Sequence, residues 1–292
     1  MPGYGDVESW TAPDGARLAL RRAAPETPPR ALLIVLHGFG DHSGRYAHVA
    51  EWGVGRGYAV WALDQRGHGR SPGPRGHIVR FAQFLADVAA LRRRAAAEVS
   101  APQVLLGHSL GGLVALRYLE TAPQGLAATV VTSPWLGTAM RAPAWKTAAA
   151  RVLADLAPGL GMSTGLDTSL LSSDPAVGRA ADDDPLYHQR MTPRAWREIV
   201  AAQAAVAAER DRIAGPLLIL VAGDDRIVSR RAAEEFGRSL RVPADCITYD
   251  GMYHEILNER ERGRVLADLG AWLDRALAAP SATPTPSGTN AA

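Results

Sequence analysis

Short stretches of unbroken apolar character recur along this chain, and each stops at a glycine or a polar residue. Residues 31–36 end at His37-Gly38, 58–63 at Asp64, 104–106 at Gly107, 128–131 at Thr132-Ser133-Pro134 and 217–222 at Gly223. Runs without a polar face suit strands of a parallel sheet that helices cover on both sides. Between them lie segments of helical period. Residues 81–98 carry Phe84, Leu85, Val88 and Leu91 on one face, and 110–120 carry Leu113, Leu116, Tyr118 and Leu119. Strand and helix in alternation predict an α/β architecture with right-handed crossovers. A hairpin is expected at the N-terminus, where 8–11 and 16–20 flank Pro13-Asp14-Gly15.

The rhythm breaks at 134–208, a stretch rich in Ala, Pro, Asp and Ser that presents no clear strand. Pieces at 145–156 and 193–208 read as helices, so this stretch is expected to be a helical cap inserted after a core strand. Alternation then resumes with a strand at 217–222, a helix at 230–240, a strand at 246–249 and a helix at 259–277. The expected organisation is a core of 1–133 and 209–279, a cap of 134–208 and a disordered tail of 280–292. The tail holds only Pro, Ser, Thr, Gly, Ala and Asn, too little apolar surface to fold.

Composition narrows the function classes. Apolar residues make up 47% of the chain, enough for a sizeable core, and the net charge of +2 is too small to argue for nucleic acid. Arg92-Arg93-Arg94 reads as a solvated helix face. The single cysteine, Cys246, rules out an internal disulfide framework and fits a reducing compartment. It sits in an alternating run and is expected to be a buried strand thiol. No basic region leads into an apolar one at the N-terminus, and no apolar run approaches the ~20 residues that span a bilayer. The expected location is the cytoplasm. Metal-ligand spacings of His or Cys are absent, so no metal and no other cofactor is expected.

Gly107-His108-Ser109-Leu110-Gly111 matches G-x-S-x-G, with a strand before it and a helix after it. This chemistry needs a hydroxyl lifted clear of the sheet on a sharp turn, with small neighbours on either side. Ser109 is therefore the expected nucleophile. A serine needs an adjacent base, and His254 follows the strand at 246–249. The residue orienting that base is expected after 217–222, where Asp224 and Asp225 stand. Asp225 is preferred because it directly precedes Arg226-Ile227-Val228, where the chain turns back toward the core; Asp224 reads as a solvated turn residue. Developing oxyanion charge calls for preorganised N–H donors: Leu110, which follows the nucleophile, and Phe39, in the loop His37-Gly38-Phe39-Gly40. His37 reads as a structural residue bonded to loop backbone, and His108 as packing away from the site. The glycine-rich 64–71 turn lacks the Gly-Lys-Ser/Thr ending of a phosphate loop.

Together these stretches resemble the monoacylglycerol lipase and lysophospholipase branch of the α/β-hydrolases, a serine aminopeptidase S33-like group. Residues 37–46 resemble its H-G-x-G-E-H-S-G-R-Y, 64–78 its D-x-R-G-H-G-x-S-x-G-x-R-G, 107–112 its G-H-S-M-G-G and 251–259 its G-x-Y-H-x-x-x-N-E. The likeness spans nearly the whole chain except the tail. Asp41 replaces the usual Glu and Leu110 the usual Met, and Ser173 stands where Arg is common. The resemblance implies the α/β-hydrolase fold, Ser109, Asp225 and His254 as a triad, Phe39 and Leu110 as oxyanion donors, and hydrolysis of a single-acyl lipid ester. Peripheral contact of the cap with a membrane stays open. So do lysophospholipase, broad carboxylesterase, thioesterase, amidase or aminopeptidase activity, and a binding module that has lost catalysis.

Overall fold

The computed structural model describes residues 4–121, 125–139, 144–242 and 244–278, leaving the expected tail outside. Its strands are β1 (Glu8–Thr11), β2 (Arg17–Ala23), β3 (Ala31–Leu36), β4 (Tyr58–Leu63), β5 (Gln103–His108), β6 (Ala128–Thr132), β7 (Met162–Ser163), β8 (Arg190–Met191), β9 (Leu217–Ala222) and β10 (Ala244–Tyr249). Its α-helices are α1 (Ala47–Gly55), α2 (Ala82–Glu98), α3 (Leu110–Thr121), α4 (Ala144–Leu156), α5 (Pro175–Asp183), α6 (Pro193–Glu209), α7 (Arg230–Ser239) and α8 (Arg262–Ala278). Eight strands form one sheet in the order β1-β2-β4-β3-β5-β6-β9-β10. The β1–β2 and β2–β4 pairs are antiparallel, and every pair from β4 to β10 is parallel. This is the α/β-hydrolase architecture that the alternation and the resemblance predict.

The apolar runs are explained by burial on both faces. Along β3, Leu32, Ile34 and Leu36 join a core layer shared with α2, α3 and α6, while Ala31, Leu33 and Val35 join a layer shared with α1 and α8. Register then aligns the chemistry. Leu36 pairs with both Leu63 and Gly107, Gly107 with Val131, and Thr132 with Leu220. The loops after β3, β4, β5, β6 and β9 therefore emerge side by side at the carboxyl edge, where open parallel sheets place their sites.

The 134–208 stretch holds α4, α5 and α6 and, against expectation, a two-residue antiparallel ladder of β7 with β8. Such a pair is too short to leave a periodic signal. Helix α6 begins where Thr192 accepts the Ala195 N–H and Pro193 takes the first turn. Its buried Ala195, Ile199, Ala202 and Val206 belong to the same core layer as α3. Bonds of His188 N–H to Gly40 O, Thr192 N–H to Gly76 O and Glu255 N–H to Leu171 O set described residues of this stretch against the loops of the sheet edge, while α6 is rooted in the main core.

Two surface expectations are corrected. Arg92 is buried, bonding Gln103 Oε1 at 2.9 Å and the Tyr118 hydroxyl at 2.8 Å; only Arg93 of the triplet is fully exposed, and Arg94 pairs with Glu98 and Glu8. One turn of α2 faces α3 and β5, and the long stem lets the guanidinium reach polar partners there. Cys246 is exposed, because β10 is the last strand of the sheet and only Tyr249 of it is buried. Arg92→Ala is expected to cost about 2 kcal/mol in urea denaturation, from lost hydrogen bonds of a charged group, whereas Arg93→Ala leaves the midpoint in place.

Candidate active site

Ser109 sits between β5 and α3 with φ of 53°, a left-handed conformation that L-residues avoid. Three backbone bonds hold it there. Its N–H donates to Thr132 O at 3.0 Å, and its carbonyl accepts from Leu113 N–H at 3.0 Å and Trp135 N–H at 3.1 Å. The flanking glycines are steric necessities: a Cβ at Gly107 would collide with the Gly111 carbonyl, and one at Gly111 with the Leu36 carbonyl. The hydroxyl is thereby presented at the sheet edge, at the N-terminus of α3.

His254, from the loop after β10, brings Nε2 to 3.0 Å from Ser109 Oγ, and its Nδ1 lies 2.8 Å from Asp225 Oδ2. The carboxylate can only accept, so Nδ1 carries the proton and the Nε2 lone pair faces the hydroxyl. Asp225 Oδ1 accepts the N–H groups of Ile227 and Val228, both at 2.9 Å, which fixes the carboxylate plane. Asp224 is exposed. Burial would push the Asp225 carboxyl up, but His254 and the two amides outweigh it and leave it below the usual range. Burial likewise disfavours charge on His254, yet Asp225 more than offsets that and raises it above 6.5.

The loop after β3 lies against Ser109. A Cβ on Gly38 would stand 3.4 Å from the Ser109 Cβ and 3.2 Å from the His108 ring. His37 Nδ1 donates to Gly38 O at 2.7 Å and its Nε2 accepts the Gln65 N–H at 2.9 Å. A trans peptide points its C=O and N–H oppositely, so anchoring the Gly38 carbonyl on His37 turns the Phe39 N–H the other way. His37 is thus structural, as its sequence context implies. His108 does not pack away from the site. Its ring is 4.8 Å from the His254 ring, its Nδ1 meets Thr132 Oγ1 at 3.0 Å, and burial with His254 nearby pushes it down to about 3.

A buried ion network, not legible in the sequence, ties the loops together. Arg45 forks onto Glu255 with two bonds of 2.7 Å and reaches Asp41 at 3.1 Å, while the Tyr46 hydroxyl donates to Asp41. Residues 45 and 255 are 210 positions apart, so no local pattern reveals the pair. From above, His188 N–H donates to Gly40 O at 2.9 Å and His42 meets Asp184 at 2.8 Å. The cavity between these elements is about 550 Å³ and open to solvent on part of its surface, a size suited to a small organic ligand. Ser109 and His254 line it, with Phe39, Trp135, Leu170, Met191, Trp196 and Ile227 among its apolar lining and Asp41, Tyr187 and Glu255 among its polar lining. Among the described residues, no group of three or more His, Cys, Asp or Glu could hold a metal ion.

The family described as Serine aminopeptidase, S33 matches residues 27–261. The chain is 33% identical over 276 residues to the monoacylglycerol lipase of Mycolicibacterium smegmatis, covering 91% of this chain and 95% of that protein. It is 29% identical to phospholipase YtpA of Bacillus subtilis, over 85% of this chain and 96% of that one. Among solved structures, the monoacylglycerol lipase of Paleococcus ferrophilus superposes with a TM-score of 0.81 at 34% identity, covering 88% of this chain and 99% of that chain. The match over most of its length, with these relatives aligned nearly end to end, makes this chain a member of the serine aminopeptidase S33 family of α/β-hydrolases.

Proposed function

We propose that this protein is a carboxylic ester hydrolase acting on monoacylglycerols through a covalent acyl-enzyme. The observation that carries the reading is the hydrogen-bond chain Ser109–His254–Asp225, with contacts of 3.0 and 2.8 Å, at the wall of a largely apolar cavity. His254 Nε2 takes the Ser109 proton as Oγ attacks the ester carbonyl, and Asp225 stabilises the imidazolium. The N–H groups of Phe39 and Leu110 receive the oxyanion. Collapse of the tetrahedral species breaks the ester C–O bond, and the departing alcohol leaves with the proton from His254. Water, deprotonated by the same imidazole, then cleaves the acyl-Ser109 ester, releases the fatty acid and restores the serine.

The substrate class rests on the relatives named as monoacylglycerol lipases and on the cavity, whose lining is mainly apolar with polar groups among it. A lysophospholipid is the second reading, favoured by the relative named as a phospholipase. We assign 134–208 as the cap that roofs this cavity. Trp145, Val152, Leu156, Leu160 and Met162 of this stretch are exposed, and cavity-lining residues 147, 150 and 162–167 lie among them in sequence; we propose that these exposed apolar groups rest on a lipid surface. Among the described residues, no helix is long and apolar enough to cross a membrane. The cytoplasm is proposed as the compartment, in keeping with one cysteine in 292 residues.

Ser109→Ala is expected to fold normally, to lose fluorophosphonate labelling and to lower kcat by at least about 10⁴-fold; ordinary turnover by that variant refutes the mechanism. His254 works as a base only when neutral, and Asp225 raises its pKa above 6.5. The acid limb of kcat/KM therefore rises with pH through an inflection above the usual histidine value. In Asp225→Asn that inflection moves down and kcat falls by about 10⁴-fold. A panel of monoacylglycerols, diacylglycerols, lysophospholipids and p-nitrophenyl esters will give the highest kcat/KM with monoacylglycerols; turnover confined to short esters or thioesters contradicts the substrate assignment. Val152→Glu with Leu156→Glu is expected to abolish cosedimentation with phosphatidylcholine vesicles while leaving turnover of a soluble ester intact.

A further inference from the structure

Glu259 lies five residues beyond His254, is 1% exposed, and takes no part in the chemistry above. Its carboxylate accepts four hydrogen bonds. Oε1 receives the Tyr253 N–H and the Ser173 N–H, both at 2.8 Å, while Oε2 receives the Ser173 hydroxyl at 2.6 Å and the Arg260 N–H at 3.2 Å. Tyr253 directly precedes His254. Ser173 belongs to the stretch between β6 and β9 that overlies the sheet edge. One carboxylate therefore joins the base-bearing loop to the structure above it. The same seam carries Glu255 N–H to Leu171 O at 2.7 Å and the Ser172 hydroxyl to Asn258 O at 3.4 Å. Burial alone would push the Glu259 carboxyl up, but the Ser173 and Tyr253 donors outweigh it and keep it below its usual value.

The loop from 250 to 261 has no helix or strand of its own to hold it. Yet His254 must meet Ser109 and Asp225 at once, and a displacement of about 1 Å at such a site costs on the order of 100-fold in rate. Core packing of Met252, Ile256 and Leu257 and the backbone bond of Asp224 N–H to Met252 O anchor this loop, and side-chain braces add to them. Arg45 braces it from below through Glu255, and Glu259 braces it from the side.

We propose that Glu259 is a positioning residue that ties the His254 loop to the 171–173 segment, so that the base is aligned with Ser109 only while that segment is seated. The proposal rests on the serine-hydrolase reading above. Glu259→Gln keeps the size but gives one end of the carboxylate over to a donor, which opposes the Tyr253 and Ser173 N–H groups on one side or the Arg260 N–H on the other and leaves the Ser173 hydroxyl with an uncharged partner. With p-nitrophenyl butyrate as substrate, kcat is expected to fall roughly tenfold or more with KM changed less than about twofold, and fluorophosphonate labelling of Ser109 slows in proportion. Ser173→Ala, which removes only the hydroxyl contact, is expected to slow labelling about threefold, and Glu259→Asp recovers part of the loss. A purely structural role would lower the melting temperature without this split between kcat and KM. Wild-type kcat in a folded Glu259→Gln enzyme overturns the proposal; if that variant does not fold, a wild-type labelling rate in Ser173→Ala does so. Turnover by Ser109→Ala would instead refute the underlying reading, so the two failures are distinct.

Discussion

The left-handed turn at Ser109 is the constraint around which the site is built. A non-glycine residue there is strained by roughly 1–3 kcal/mol, and the surroundings must over-determine it. They do so through Thr132 on the next strand and through Leu113 and Trp135, which grip the same carbonyl. Gly107 and Gly111 then become obligatory, because the turn presses backbone against backbone on both sides. The close approach of Gly111 to the end of β3 also brings the His37–Gly40 loop beside Ser109. One strained residue thus fixes the packing of three strand ends.

The neighbouring loops meet that fixed point through buried polar contacts. Arg45, Asp41 and Glu255 join the loop after β3 to the loop after β10. A buried ion network is costly to desolvate and stabilises little by itself, but removing one member would leave an unpaired charge. Its contribution here is geometric: it ties the loop that carries Phe39, the proposed oxyanion donor, to the loop that carries His254, the proposed base. The seams at Gly40 with His188 and at Ser173 with Glu259 extend the same logic to the segments overhead.

Electrostatics separates the histidines around the cavity. Burial lowers the pKa of His37, His68, His108 and His188 and keeps them neutral at ordinary pH. His254 is buried too, yet a carboxylate at 2.8 Å reverses the direction. The ring that faces Ser109 is thus also the one prepared to carry a proton.

The sequence by itself determined the sheet and the points at which its chemistry emerges. Doubly buried strands need unbroken apolar runs, and a strand-to-helix elbow needs small residues around Ser109; both requirements are local and so are written in adjacent residues. Ser109, Asp225 and His254 were legible as candidates because each follows a strand end, and the proposed roles rest on that placement. Local pattern failed where neighbours decide the outcome. Arg92 looked solvated until α2 turned it toward Tyr118 and Gln103. Cys246 looked buried because alternation cannot tell an edge strand from a central one. The distances from Ser109 to His254 and on to Asp225, the Arg45–Glu255 fork and the Glu259 brace were decided by tertiary structure alone. They join residues from 29 to 210 positions apart, and only the folded sheet brings those strand ends to a common edge.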